Sequence, residues 1–160
     1  MDRIDKILNH HLFLHHLNAN NAAEADRSFC RHNMGHFLDV ARIGAIMDLE
    51  EGTELPRDWI YAAALLHDMG KHIQYEEGIS HELASGAIAP QILKDCGFDD
   101  KETAVITDAV LSHRDSSISE EKNLKGILYR ADKASRACFA CNVEAECNWK
   151  NGKKNKKLRY

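Results

Sequence analysis

The sequence holds only two prolines, Pro56 and Pro90, in 160 residues. Little therefore interrupts long helices, since proline removes an N–H donor and clashes with the preceding turn. Nor do short alternating strands recur between turn signals, and the two absences together predict an all-α chain of five or six main helices. The longest strongly apolar run, Trp59–Leu66, is far shorter than the ~20 residues that span a bilayer, which argues against a membrane partner. Met1-Asp2-Arg3 leads into a mixed polar stretch rather than a signal-peptide core, so a cytoplasmic location is expected. Five cysteines, an odd number, argue for thiols or metal ligands over a disulfide framework. Charged residues at 29% and apolar residues at 44% are ordinary globular usage, which excludes wholesale disorder.

Acid is missing from one place. Residues 150–160 carry Lys150, Lys153, Lys154, Lys156, Lys157 and Arg159 against no carboxylate side chain, a charge of +6 that leaves −10 for residues 1–149. A body this acidic repels a phosphate polymer, which argues against nucleic acid as a partner. The organisation expected is one helical domain over residues 1–149 and a basic tail over 150–160. The tail reads as a frayed, solvated terminus, with a phosphate contact as the alternative.

Histidine is what the chain has in excess: ten, more than its nine glycines. To place them, a first helix is expected from Asp2 to Leu17, stopping at Asn18-Ala19-Asn20-Asn21, where Asn21 and Glu24 resemble a capping box for the next. In that second helix Phe37, Val40, Ala41, Gly44 and Met47 or Asp48 form a core-facing stripe, and the helix ends near Gly52. Pro56 opens a third helix whose Trp59–Leu66 segment is apolar on every side and belongs mid-domain. Gly70 stops it, and the polar stretch to Ile79 reads as loop. Ser80 starts a fourth helix to Gly97, kinked at Pro90. Asp99 or Asp100 caps a fifth to Ser112, and a last helix runs from Glu120 to Cys138.

His67-Asp68 closes the buried third helix, where imidazole and carboxylate are costly to hide unless paired or metal-bound. His36 and Asp132 are likewise polar residues within packing segments. His36 before Val40-Ala41, then Leu65-Leu66-His67-Asp68-Met69-Gly70-Lys71, then Arg130-Ala131-Asp132 resembles the HD-domain superfamily over residues 28–137. That resemblance implies a helical bundle and a metal-dependent phosphohydrolase. His81 in Ser80-His81-Glu82 and His113 in Ser112-His113-Arg114 stand where its six-ligand branch has histidines, a branch that includes symmetrical dinucleoside tetraphosphatases. Cyclic-dinucleotide phosphodiesterases of the branch carry a further histidine where this chain has Arg114, which counts against that assignment.

Four imidazoles and two carboxylates exceed what one closed tetrahedral zinc needs, and a carboxylate can bridge two cations. His36, His67, Asp68 and Asp132 are assigned to a first metal, with Asp68 bridging to a second held by His81 and His113. Mixed imidazole and carboxylate ligation without thiolate suits two iron ions, or manganese. The expected chemistry is metal-assisted hydrolysis of a small phosphorylated substrate, such as a nucleotide. Lys71 and Arg136, one turn beyond Asp132, are phosphate-binding candidates; a solvated Lys71 and an Arg136 paired to Asp132 are the alternatives. The same ligands would also serve a mixed-valent di-iron oxygenase or a non-catalytic metal or nucleotide sensor.

Of the other histidines, His32 shares a face with His36 and is a candidate neighbour of the site. His10, His11, His15 and His16 read as the polar side of the first helix, and His72 as loop surface. Cys96 reads as core. Cys138, Cys141 and Cys147 follow the last ligand helix at C-x2-C-x5-C spacing and with Cys30 form a candidate second site, for structural zinc or less readily an iron–sulfur cluster. Ordinary thiols are the alternative.

Overall fold

The computed structural model describes residues 1–160 and is helical throughout, without a strand. Its helices are α1 (Asp2–Leu8), α2 (His11–Ala23), α3 (Met34–Glu51), α4 (Arg57–Leu66), α5 (Lys71–Glu77), α6 (His81–Asp95), α7 (Asp100–Ser112) and α8 (Leu124–Ala134). Six of the eight have ten residues or more. Single 3₁₀ turns lie at Ser116–Ile118, Cys138–Ala140, Glu144–Glu146 and Asn151–Lys153.

α4 is the axis of the bundle, because Ile60 and Ala62 through Leu66 are all buried. It packs against α1, α3, α6, α7 and α8. The α3 stripe of Phe37, Val40, Ala41, Gly44 and Met47 is buried on that side. Gly44 permits the crossing, since a Cβ there would lie 2.9 Å from Ile60 Cγ2. Helix ends follow local chemistry. Asn33 accepts the His36 N–H at the start of α3, and left-handed Gly52 (φ 65°) ends it. Asp99 and Glu102 form a reciprocal capping box on α7.

Several elements differ from the sequence expectation. The first helix is broken at Asn9, where the His10 ring accepts the Leu12 N–H and starts α2. α2 then runs straight through the asparagines, because Asn20 is turned inward and fully buried, leaving no Asn21–Glu24 capping box. The stretch after Gly70 is not loop but α5, ended by left-handed Gly78 (φ 74°). α6 holds Pro90 within its span as expected, but Ser80 precedes it without a side-chain capping bond. α8 is shorter than expected at both ends. Asn123 caps its start, while the Asn155 amide donates to the carbonyls of Lys133 and Arg136 at 2.8 Å and so satisfies its far end.

That last contact also corrects the reading of residues 150–160 as frayed. Lys154 is buried against Glu144, and Tyr160 packs on the core. A groove of about 770 Å³ beside this segment is lined by α3, α8 and tail residues and contains none of the six candidate ligands.

Candidate metal centre

The apolar α4 carries its own polar end into the interior: His67 and Asp68 follow Leu66 and are buried. The turn they occupy is held from two sides. Asn20 Nδ2 donates to the Asp68 carbonyl and its Oδ1 accepts the His72 N–H, both at 2.9 Å. The Ser85 hydroxyl accepts the Gly70 N–H at 2.9 Å. α6 and α5 are thereby locked to the turn, with Gly70 too close to Ser85 N for a side chain; a Cβ would lie 2.7 Å from it.

Four histidines from four elements converge on Asp68. His67 Nε2 lies 3.0 Å and His36 Nε2 3.4 Å from Oδ2. His81 Nε2 lies 3.1 Å and His113 Nε2 3.5 Å from Oδ1. Asp132 joins the first half, its Oδ1 at 3.5 Å from His36 Nε2 and 3.8 Å from His67 Nε2. Candidate ligand atoms of His36, His67, Asp68 and Asp132 lie mutually within 4.8 Å, as do those of Asp68, His81 and His113. All six residues are buried.

The opposite ring nitrogens are each engaged outward. His67 Nδ1 donates to the Ala64 carbonyl at 2.7 Å and His113 Nδ1 to the Val110 carbonyl at 2.6 Å. His81 Nδ1 pairs with Gln74 Oε1 at 2.5 Å and His36 Nδ1 with the Ser135 hydroxyl at 3.2 Å. A carbonyl only accepts, so His67 and His113 each carry a proton on Nδ1, which leaves Nε2 as the nitrogen that faces inward. That is how metal-ligating imidazoles are oriented.

The electrostatics leave room for cations. Burial would raise the carboxyls of Asp68 and Asp132, but the imidazoles around Asp68, His67 foremost, and His67, Lys133 and Arg136 around Asp132 outweigh it, and both are held well below the usual carboxylate range. Burial would lower His67, yet the two carboxylates raise it to about 10; His36, dominated by burial, falls to about 4. His36 Nε2, His67 Nε2 and Asp68 Oδ1 are buried with no hydrogen-bond partner. Orphaned inward-facing polar atoms of this kind are costly, and a ligand set of imidazole nitrogen and carboxylate oxygen fits divalent metals.

His32 stands at the edge, its Nε2 at 3.8 Å from Asp68 Oδ2. Glu24 accepts its backbone N–H at 2.6 Å and pairs with its Nδ1 at 2.5 Å, and the Tyr75 hydroxyl donates to Glu24 at 2.7 Å. Burial would raise the Glu24 carboxyl, but the His32 contacts hold it at about 2. Lys71 is half-buried with Nζ 3.5 Å from His81 Nδ1; burial lowers its pKa against the pull of Asp68. Arg136 Nη2 meets Asp132 Oδ1 at 3.3 Å, the pairing that the sequence left as its alternative role. Lys133 also bonds Asp132.

Residues 33–137 match the HD domain family. The chain belongs to it.

A Clostridium beijerinckii protein described only as uncharacterized is 43% identical over 160 residues, covering 100% of both chains. A crystal structure of a "predicted HD superfamily hydrolase" from an uncultured Thermotogales bacterium shares the fold at TM-score 0.63 and 23% identity, over 88% of this chain and 80% of that one.

Around this HD domain several residues differ from what the sequence suggested. His72 is buried on α5, not loop surface, and bonds His16 across to α2 at 2.9 Å. His16 is therefore an interhelix contact, while His11 and His15 are exposed as expected. Sequence alone assigns Asn20, Gln74 and Ser135 no role at the site and marks Glu24 only as a helix-capping residue. Each lies in a polar stretch, and only the tertiary fold gives it a histidine or the His67-Asp68 turn as partner. Cys96 is buried in the core. Cys30, Cys138, Cys141 and Cys147 all lie outside residues 33–137 and line one small cavity.

Proposed function

We propose that this chain is a metal-dependent phosphohydrolase with a dinuclear centre, the first metal held by His36, His67, Asp68 and Asp132 and the second by Asp68, His81 and His113. The observation that carries the reading is the division of Asp68: Oδ2 faces His36 and His67, and Oδ1 faces His81 and His113. A carboxylate serving one ion has no use for histidines on both oxygens. Two iron ions, or manganese, suit this thiolate-free donor set. When bound, they supply Lewis-acid polarisation of a phosphoryl group and lower the pKa of water.

The chain's own residues supply the rest. Lys71 and Arg136 bring positive charge to either side of Asp68 and Asp132, placed to hold non-bridging oxygens as charge builds on them. His32 Nε2 faces the same space, its ring fixed through Nδ1 by Glu24, and contacts the substrate at the margin of the centre. The substrate class is a small phosphate ester or anhydride, with nucleotides foremost.

The test is release of phosphate or nucleotide across a panel of mononucleotides, dinucleoside polyphosphates and simple phosphate esters, with ferrous iron supplied anaerobically or manganese in air. Hydrolysis of at least one class that is lost in Asp68→Asn supports the reading. Inactivity throughout contradicts it, and oxygen consumption in place of hydrolysis reassigns the centre to oxidation.

A further inference from the structure

The cysteines outside the HD domain are unexplained by the centre, yet the fold gathers them. Cys30 lies in the segment between α2 and α3, while Cys138, Cys141 and Cys147 follow α8. More than a hundred residues of chain separate Cys30 from the other three, but all four line a cavity of about 30 Å³ closed by Phe29, Glu144 and Lys154. None is in a disulfide.

Two cations flank this thiol cluster. The Lys154 side chain is buried, tied to Glu144 and near Cys138 and Cys147. The Arg136 guanidinium faces Cys30 and lies 5.6 Å from the Trp149 ring. Its Nε is buried without a hydrogen-bond partner. Each cation also has a carboxylate partner, Glu144 for Lys154 and Asp132 for Arg136, and both stand where they would face the negative charge that four thiolates around a metal carry.

The spacing of the sulfurs bears on which metal. Zinc with four thiolates at ~2.3 Å sets the sulfurs ~3.8 Å apart along each tetrahedral edge. Here no three of the four sulfurs come within 4.8 Å of one another, although all face one cavity. A wider set of four thiolates suits a group with a body of its own, and four cysteines are what an iron–sulfur cluster takes. We propose that Cys30, Cys138, Cys141 and Cys147 ligate an iron–sulfur cluster, separate from the His/Asp centre, that fastens the segment after α8 to the segment before α3. Each thiol gives its proton to solvent on ligation, and no oxidant or reductant is consumed in holding the cluster.

The test uses the full chain, purified anaerobically and then supplied with sulfide and equal amounts of ferrous and ferric iron, which together carry the mean oxidation state of +2.5 that a [4Fe–4S]2+ core holds. Acid-labile sulfide, iron and zinc are measured per chain, with the visible absorption and its bleaching by dithionite. About four sulfides per chain and a bleachable visible band are expected for a [4Fe–4S] group. Cys141→Ser should lose both while circular dichroism stays helical, and His81→Ala should keep both, which separates this site from the centre. Absence of sulfide before and after reconstitution overturns the proposal, as does one retained zinc per chain in place of iron and sulfide. Should Cys141→Ser fail to fold, the sulfide content of the unaltered chain decides.

Discussion

Glu24 grips His32 twice, accepting its backbone N–H at 2.6 Å and meeting its ring Nδ1 at 2.5 Å, which turns Nε2 toward Asp68. A buried carboxylate behind an imidazole fixes both the tautomer and the orientation of the ring. His32 thereby becomes a directed group at the margin of the centre rather than a surface histidine.

Replacing Glu24 by Gln should expose this. The side chain keeps its shape, but one of its two acceptor oxygens becomes a donor and the negative charge is lost. Turnover is expected to fall about 10–100-fold, the usual scale for a group that orients a functional histidine. Metal content should not change, since Glu24 touches none of the six candidate ligands. A parallel loss of metal would place the residue in the metal-binding framework instead.

Gly70→Ala tests how the His67-Asp68 turn is seated. The added methyl would lie 2.7 Å from Ser85 N and against Ala84 of α6, and backbone cannot yield as a flexible side chain does. Overpacking of this kind costs about 1–3 kcal/mol, read as a lower urea midpoint. Because α6 also carries His81, metal retention should weaken with it. A variant with unchanged stability would show that α5 and α6 are not tightly docked.

The pH dependence of stability has a contribution from the contact between α2 and α5. Burial first, then the neighbouring His72 and His15, lower His16 to about 4 from an ordinary value of 6.5. Between these values the unfolded chain binds a proton that the folded chain refuses, so stability falls as pH drops from about 6.5 toward 4. Urea titrations at pH 7 and pH 5 should show a smaller loss in His16→Gln than in the unaltered chain. An identical loss in both would remove His16 from the acid response.

What was legible in the sequence follows from the kind of signal each residue carries. His36, His67 and Asp132 stand out as polar groups in apolar segments, and α4 as a helix without a polar face; these are local patterns, and the HD fold places them together. Asn20 and Glu24 lie among other polar residues, and their roles come from partners 8 to 52 residues away or from a turn reached only after folding; nothing local marks those roles. α5 is seven residues long between two glycines, too short for periodicity to separate it from loop. The tail reads as frayed because its charges are local, and five of its six basic residues are indeed exposed, whereas the Asn155 bonds that anchor it are not local.

The central claim is that Asp68 joins two metals, and metal stoichiometry tests it most directly. Protein purified anaerobically and loaded with ferrous iron or manganese should hold about two equivalents at the His/Asp centre, with any sulfide-associated iron subtracted. His81→Ala, which removes one ligand from the Oδ1 side only, should bring this to about one while His36, His67 and Asp132 keep the other. Two equivalents retained in His81→Ala, or a single equivalent in the unaltered chain, would contradict the dinuclear account.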